Sequence, residues 1–263
     1  MKRLLTGLII TPFFFYAVVF APDWFFLAVL AVVGSLCYYE YQGIVGAHFP
    51  GSGPDPRHSP IGYLAGVLLL VLPNSEALYL TLFALLAWVL AMRRRPLPQV
   101  LPIASMSVLG VLYIFGAWRC AVFLHGRSPW WMLFGVAINW IGDTFAFYFG
   151  KNFGRHKLAP SISPGKSWEG TIASTVSSMA LGALFLHWKF PEVALGPALL
   201  LCLAANVAGQ VGDLCESAIK RGAGVKDSGN LLPGHGGWLD RVDSSLFSVP
   251  VVYWLLQQRW ILP

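Results

Sequence analysis

A chain of 263 residues with 56% hydrophobic and only 11% charged residues, and a mean hydropathy of +0.63, is too apolar for a soluble domain, where about a quarter of residues are charged. It reads as an integral membrane protein. The net charge of +6 comes from basic residues scattered among short loops, which fits a membrane surface and anionic substrates and excludes a nucleic-acid partner.

Taken in order, apolar runs of spanning or near-spanning length recur about nine times, at 4–20, 24–44, 61–73, 77–92, 101–124, 130–149, 170–187, 195–216 and 238–257. The third is the shortest. The first has a basic start, but its apolar run is long and small residues suited to cleavage are lacking, so it is expected to stay as a span. The expected fold class is therefore all-α, a polytopic membrane protein of about nine transmembrane helices.

Lys and Arg resist translocation and accumulate on the cytoplasmic side. With the N-terminus cytoplasmic and nine spans threaded, Lys2, Arg3, Arg57, Arg93, Arg94, Arg95, Lys151, Arg155, Lys157, Lys166, Lys220, Arg221, Lys226 and Arg241 all fall inside. Only Arg127, Lys189 and Arg259 fall outside, and Arg119 lies within a span. The Pro/Gly-rich connectors at 48–60 and 93–98 are too short to separate domains. One membrane domain over 1–263 is expected, with spans of unclear role in 1–128 and the chemistry in 129–263. Cys37, Cys120, Cys202 and Cys215 have neither zinc spacing nor a disulfide framework.

Polar residues appear where lipid should be. Asn139 and Asp143 share a helix face, and Asn206, Gln210, Asp213, Ser217 and Lys220 form one side of the eighth span. Asp240, Asp243 and Ser244 open the ninth. A mid-membrane carboxylate costs about 2.5 to 3.5 kcal/mol, so Asp143, Asp213, Asp240 and Asp243 must face one another, a cation or water. One acidic cluster under a basic rim is the simplest assembly. Asn139 and Gln210 read equally well as interhelical hydrogen-bond partners, and Glu40, alone near the end of the second span, as a residue with a structural partner or one reaching the interface.

Two loops carry the remaining signal. In SPGKSWEG, Ser163, Lys166, Ser167 and Glu169 lead into an apolar run, as at a helix start whose N–H groups face an anion. A Walker loop is excluded because Ser161 stands where glycine is required. From Ser217 to Ser244, SAIKRGAGVKDSGNLLPGHGGWLDRVDS packs both charge signs among glycines. Glycines let backbone N–H groups close on an anion, Lys and Arg neutralise phosphate, and carboxylates spaced like Asp240 and Asp243 hold a hard cation. His235 fits either a ligand contact or a turn.

Ser217, Lys220-Arg221, Lys226-Asp227, Gly229, Pro233, His235, Gly236-Gly237 and Asp240-Arg241-x-Asp243 resemble the signature of the phosphatidate cytidylyltransferases, or CDP-diacylglycerol synthases. Gly142-Asp143 and ISPGKSWEG resemble that family's middle region, while the first half is similar only as generic spans. Ser228, Trp238 and Gly165 depart from the family pattern, which has an aromatic, a smaller aliphatic and a basic residue there.

The resemblance implies condensation of CTP with phosphatidic acid to give CDP-diacylglycerol and pyrophosphate, by an integral enzyme of the inner membrane whose site faces the cytoplasm, as a homodimer. It implies Mg2+, with Asp213 and Asp240 as primary ligands and Asp143 and Asp243 supporting them. A second cation, potassium or another divalent, would complete a two-metal clamp. Lys220, Arg221, Lys226 and Arg241 would screen the phosphates, Lys166 with Ser163 and Ser167 would close over one of them, and Ser217, His235, Gly236 and Gly237 would contact substrate. An ion-coupled transporter would need midplane polar residues and two matching halves, and a CDP-alcohol phosphotransferase its DGx2ARx8Gx3Dx3D arrangement. The sequence has neither.

Overall fold

The computed structural model describes residues 2–51, 55–72, 76–93, 97–232, 234, 236–258 and 261, with residues 2–10 by backbone alone. The elements in order are α1 (Lys2–Val19), α2 (Asp23–His48), α3 (Pro60–Val71), α4 (Glu76–Ala91), α5 (Val100–Val111), α6 (Ala117–Arg127) and α7 (Pro129–Phe153). Then come the strands β1 (Lys157–Ala159) and β2 (Ser163–Ser167), followed by α8 (Trp168–Lys189), α9 (Leu195–Gly222), α10 (Leu239–Val242) and α11 (Ser245–Leu256). A π turn over Leu112–Gly116 joins α5 to α6.

Among the described residues, five helical stretches are long and apolar enough to cross a membrane: Asp23–His48, Leu97–Arg127, Pro129–Phe153, Trp168–Lys189 and Leu195–Gly222. Large side chains such as Phe147 (63% exposed), Val176 (61%) and Leu184 (63%) point outward from them, as a lipid-facing surface requires. The protein is thus a membrane protein that is all-α among the described residues save for a small antiparallel hairpin, in which Lys157 pairs with Ser167 and Ala159 with Ser163, and an isolated bridge between Leu232 and Gly236. By contrast α3 has 12 residues and α4 has 16, and at 1.5 Å per residue α3 is about 18 Å long.

Local chemistry sets the ends. Ser128 caps α7, accepting from the Trp130 N–H, with Pro129 in the first turn where its missing donor is harmless. Ser167 caps α8 by accepting from Gly170 N at 3.2 Å, and Glu169 sits in that first turn, where a negative charge suits the helix dipole. The helix start expected within SPGKSWEG is therefore at Ser167, and the residues before it are strand. At the end of α9, Val225 N donates to Lys220 O and Gly224 N to Arg221 O, with Gly224 at φ 73°. That is the Schellman arrangement, and glycine meets its left-handed requirement without strain.

The chain divides into two compact units, 1–122 with 219–242, and 123–218 with 243–263. The loop after α9 groups with the N-terminal helices. In the first unit α2 packs against α3, α5 and α10, around a cluster in which Tyr38 meets Tyr41 and Phe115.

In the second unit α7 packs along α8 and against α11. A buried polar layer ties these helices together. Asn139 Nδ2 donates to Ser248 Oγ at 2.7 Å, and Ser248 donates to Gly135 O at 2.7 Å. Asn206 Nδ2 donates to Ser174 and Ser178, both at 3.0 Å, and Gln210 donates to Asn206 Oδ1 at 2.6 Å. Asn139 and Gln210 therefore take part in hydrogen bonding within the helix bundle, where burial in lipid leaves few other partners.

Candidate active site

The second unit contains a cavity of about 410 Å³ lined by residues of α7, β2, α8 and α9, among them Asp143, Lys151, Lys166, Ser167, Gln210 and Asp213. Lys166 Nζ lies 2.7 Å from Asp213 Oδ2, with side chains 26% and 30% exposed. Ser217, one helical turn along α9, donates to Asp213 Oδ1 at 3.3 Å. Asp143 lies within electrostatic reach of both Asp213 and Lys166. The sequence pattern explains the placement: Asp213 continues the polar stripe of α9, and the β1–β2 hairpin ends next to the cap of α8, which delivers Lys166 and Ser167 together. Ser163, at the far end of β2, is not among the cavity's lining residues.

The first unit contains a second polar arrangement, in the segment after α9. Lys220 Nζ lies 2.6 Å from Asp240 Oδ1, and both side chains are 10% exposed. Asp240 also accepts from Ser228 N, at 3.2 Å to Oδ1 and 3.1 Å to Oδ2, and from Gly237 N at 2.8 Å. Burial works to raise the pKa of Asp240, but the Lys220 ammonium and the Gly237 and Ser228 N–H groups outweigh it and hold the carboxylate below its ordinary range. Gly236, at φ 80°, lets the chain turn so that Gly237 presents its N–H to this carboxylate.

Glu40 of α2 is buried beneath the same segment. It accepts from Ser228 Oγ at 3.1 Å and from Leu239 N at 2.9 Å. Arg221, Lys226 and Arg241 have exposed side chains. Asp243, in the second unit, is buried and accepts from the N–H and hydroxyl of its neighbour Ser244. His235 lies outside the described residues, as do Pro233, Arg94, Arg95 and Arg259.

Among the described residues no three His, Cys, Asp or Glu side chains gather into a metal-holding group. Asp143 and Asp213, from different helices, line the cavity together with Thr171, Ser174 and Gln210, residue types that carry the oxygen ligands a hard cation takes. The sequence assigns neither Lys151 nor Thr171 to this cavity, and it offers Glu40 a structural partner without pointing to Ser228 or Leu239. The signal for Glu40 was present all the same, because a carboxylate in an apolar helix requires donors from elsewhere.

Comparison with known proteins adds the context. The chain is 36% identical to phosphatidate cytidylyltransferase 4 of Arabidopsis thaliana over 90% of its own length and 68% of that protein. It is 32% identical to an uncharacterized protein, YnbB, of Escherichia coli K12 over 92% and 83%. It is 36% identical to the phosphatidate cytidylyltransferase of Staphylococcus saprophyticus, where the match spans 59% of the chain and 60% of the relative. Residues 1–258 match the cytidylyltransferase family as a whole. The chain belongs to that family.

Proposed function

We infer that the protein transfers the cytidylyl group of CTP to phosphatidic acid, forming CDP-diacylglycerol and pyrophosphate in phospholipid synthesis. The observation that carries this reading is the cavity where two carboxylates and two lysines, Asp143, Asp213, Lys151 and Lys166, meet at membrane-length helices. The names of the Arabidopsis and Staphylococcus relatives supply the reaction.

The nucleophile needs no strong base, because a phosphomonoester has its second pKa near 6 and is mostly doubly charged at neutral pH. One of its oxygens bonds to the α-phosphorus of CTP while the bond from that phosphorus to the bridging oxygen of the leaving pyrophosphate breaks. The difficulty is repulsion: two unit charges about 4 Å apart repel by about 4 kcal/mol at an effective dielectric of 20.

Positive charge answers this. Asp213 and Asp240 are the proposed primary ligands for magnesium, and Asp143 and Asp243 the supporting ones. Magnesium, with a second cation, supplies charge neutralisation of the α-phosphate and the leaving group. Lys166 and Lys220 exchange a carboxylate partner for phosphate oxygens when CTP binds, and Arg221, Lys226 and Arg241 approach the triphosphate and lipid phosphate from exposed positions. Ser163, Ser167, Ser217, His235, Gly236 and Gly237 complete the substrate contacts.

The N-terminus and the site are assigned to the cytoplasmic side of the inner membrane, in a homodimer of nine-span chains. The short pair α3 and α4 does not affect that side. Counted as two crossings or as a re-entrant pair, it leaves every later loop where the basic residues place it. The test is incorporation of labelled CTP into a chloroform-soluble product by purified protein, dependent on both phosphatidic acid and magnesium. No labelled lipid under those conditions rejects the reading.

A further inference from the structure

We propose that Glu40 of α2 is a positioning residue that fixes the segment 226–241 in the shape competent to receive CTP. It touches no reacting group; it acts through the loop that carries Gly237 and Asp240. This rests on the function proposed above.

The geometry is specific. Glu40 is 2% exposed inside a membrane-length helix, where a carboxylate is costly unless donors meet it. The donors come from nearly 200 residues later, Ser228 Oγ and Leu239 N, both on Oε2. These two contacts bracket the glycine-rich turn. The same two residues flank the Asp240 network, since Ser228 N donates to Asp240 and Leu239 is its chain neighbour. Glu40 thus holds both ends of the turn that Asp240, paired with Lys220, also holds through Ser228 N and Gly237 N.

The glycines of the segment fit this anchor. A Cβ at Gly229 would lie 2.6 Å from Glu40 Oε1 and 2.8 Å from its Cδ, with the three nearest atoms all in Glu40. A Cβ at Gly237 would likewise collide with Glu40 and with Ser228 Oγ. Two glycines of the loop are therefore shaped to Glu40 at close range. The hydroxyl of Ser228, a position where the chain departs from the family pattern, supplies one of the two bonds.

The expected consequence is a binding defect. A released loop is competent for only a fraction of the time, and apparent affinity falls by that fraction while the loaded enzyme reacts normally. In proteoliposomes, Glu40→Ala should raise the KM for CTP at least tenfold with kcat within threefold of wild type. Hydrogen exchange should rise at least tenfold across 226–241, with α3 and α5 unchanged. Glu40→Gln, which retains an acceptor oxygen, should restore both readouts to within threefold, while the shorter Glu40→Asp should not. Gly229→Ala should raise the KM by itself, and the double variant Gly229→Ala/Glu40→Ala should be no worse than Glu40→Ala.

Unchanged exchange in 226–241, a fall in kcat with no change in KM, or additive effects in the double variant would overturn the proposal. If the wild-type protein has no CTP-dependent turnover, the proposed function fails, and the exchange measurement still decides whether Glu40 holds the loop.

Discussion

The two lysine–aspartate pairs, Lys166 with Asp213 and Lys220 with Asp240, are chemically alike and differently built. Asp213 lines an open cavity, its side chain 30% exposed, held by one lysine and one serine hydroxyl. Asp240 is 10% exposed and accepts from a lysine and two backbone N–H groups. Coulomb attraction in a partly wet site is modest and easily exchanged, whereas breaking a buried pair leaves an uncompensated charge. The first pair is arranged for turnover of partners, while the second is also part of the loop's own structure.

Removing the acidic partner should give the largest effect and should separate the two pairs. Asp213→Asn and Asp240→Asn should each lower CTP-dependent turnover by at least about 100-fold, the scale of losing an electrostatic contact to developing phosphate charge. Only Asp240→Asn should also loosen segment 226–241, read by hydrogen exchange. Removing the lysine should sharpen the contrast: Lys220→Ala should destabilise its unit by about 3 kcal/mol in denaturant titrations, and Lys166→Ala by less than about 1 kcal/mol, although both impair activity. Equal stability losses would erase the distinction.

Away from both pairs, Asn206→Ala removes the donor to Ser174 and Ser178 and should cost about 1 kcal/mol, the scale of hydrogen bonds between membrane helices, with little change in KM. The smallest effect concerns pH. The folded pKa of Asp240 lies below its ordinary value of 3.8, so its contribution is complete above that value and is lost only as pH falls through the lower, folded one. Protection of 226–241 should stay level from pH 7 to about 4 and decline below; a decline beginning near pH 6 would contradict the direction of that shift.

The long helices were legible because hydropathy and helix period coincide in them. Runs read at 130–149, 170–187 and 195–216 became Pro129–Phe153, Trp168–Lys189 and Leu195–Gly222. Each observed helix runs further at its polar end, since hydropathy marks the lipid-facing part while the backbone continues past it to Lys151 or Arg221. The run at 238–257 holds two helices, α10 and α11, separated by Asp243 and Ser244, where the Asp243 carboxylate accepts from the N–H and hydroxyl of Ser244, a local detail that no hydropathy window registers.

The signature residues were legible as types, and their partners were not. Nothing in the spacing of Lys166 and Asp213 says that a hairpin end meets a helix stripe, and nothing near Glu40 names Ser228. Such pairings join segments far apart in the chain and come from tertiary packing. The departure at Ser228 acquires a physical reason only once Glu40 is seen beneath it.

The most direct measurement follows transfer of label from CTP to lipid by wild type, Asp213→Asn and Asp240→Asn in proteoliposomes, with each protein's insertion verified. The account predicts magnesium-dependent product from wild type and near-complete loss in both variants. Turnover within a few-fold of wild type in either variant would contradict it.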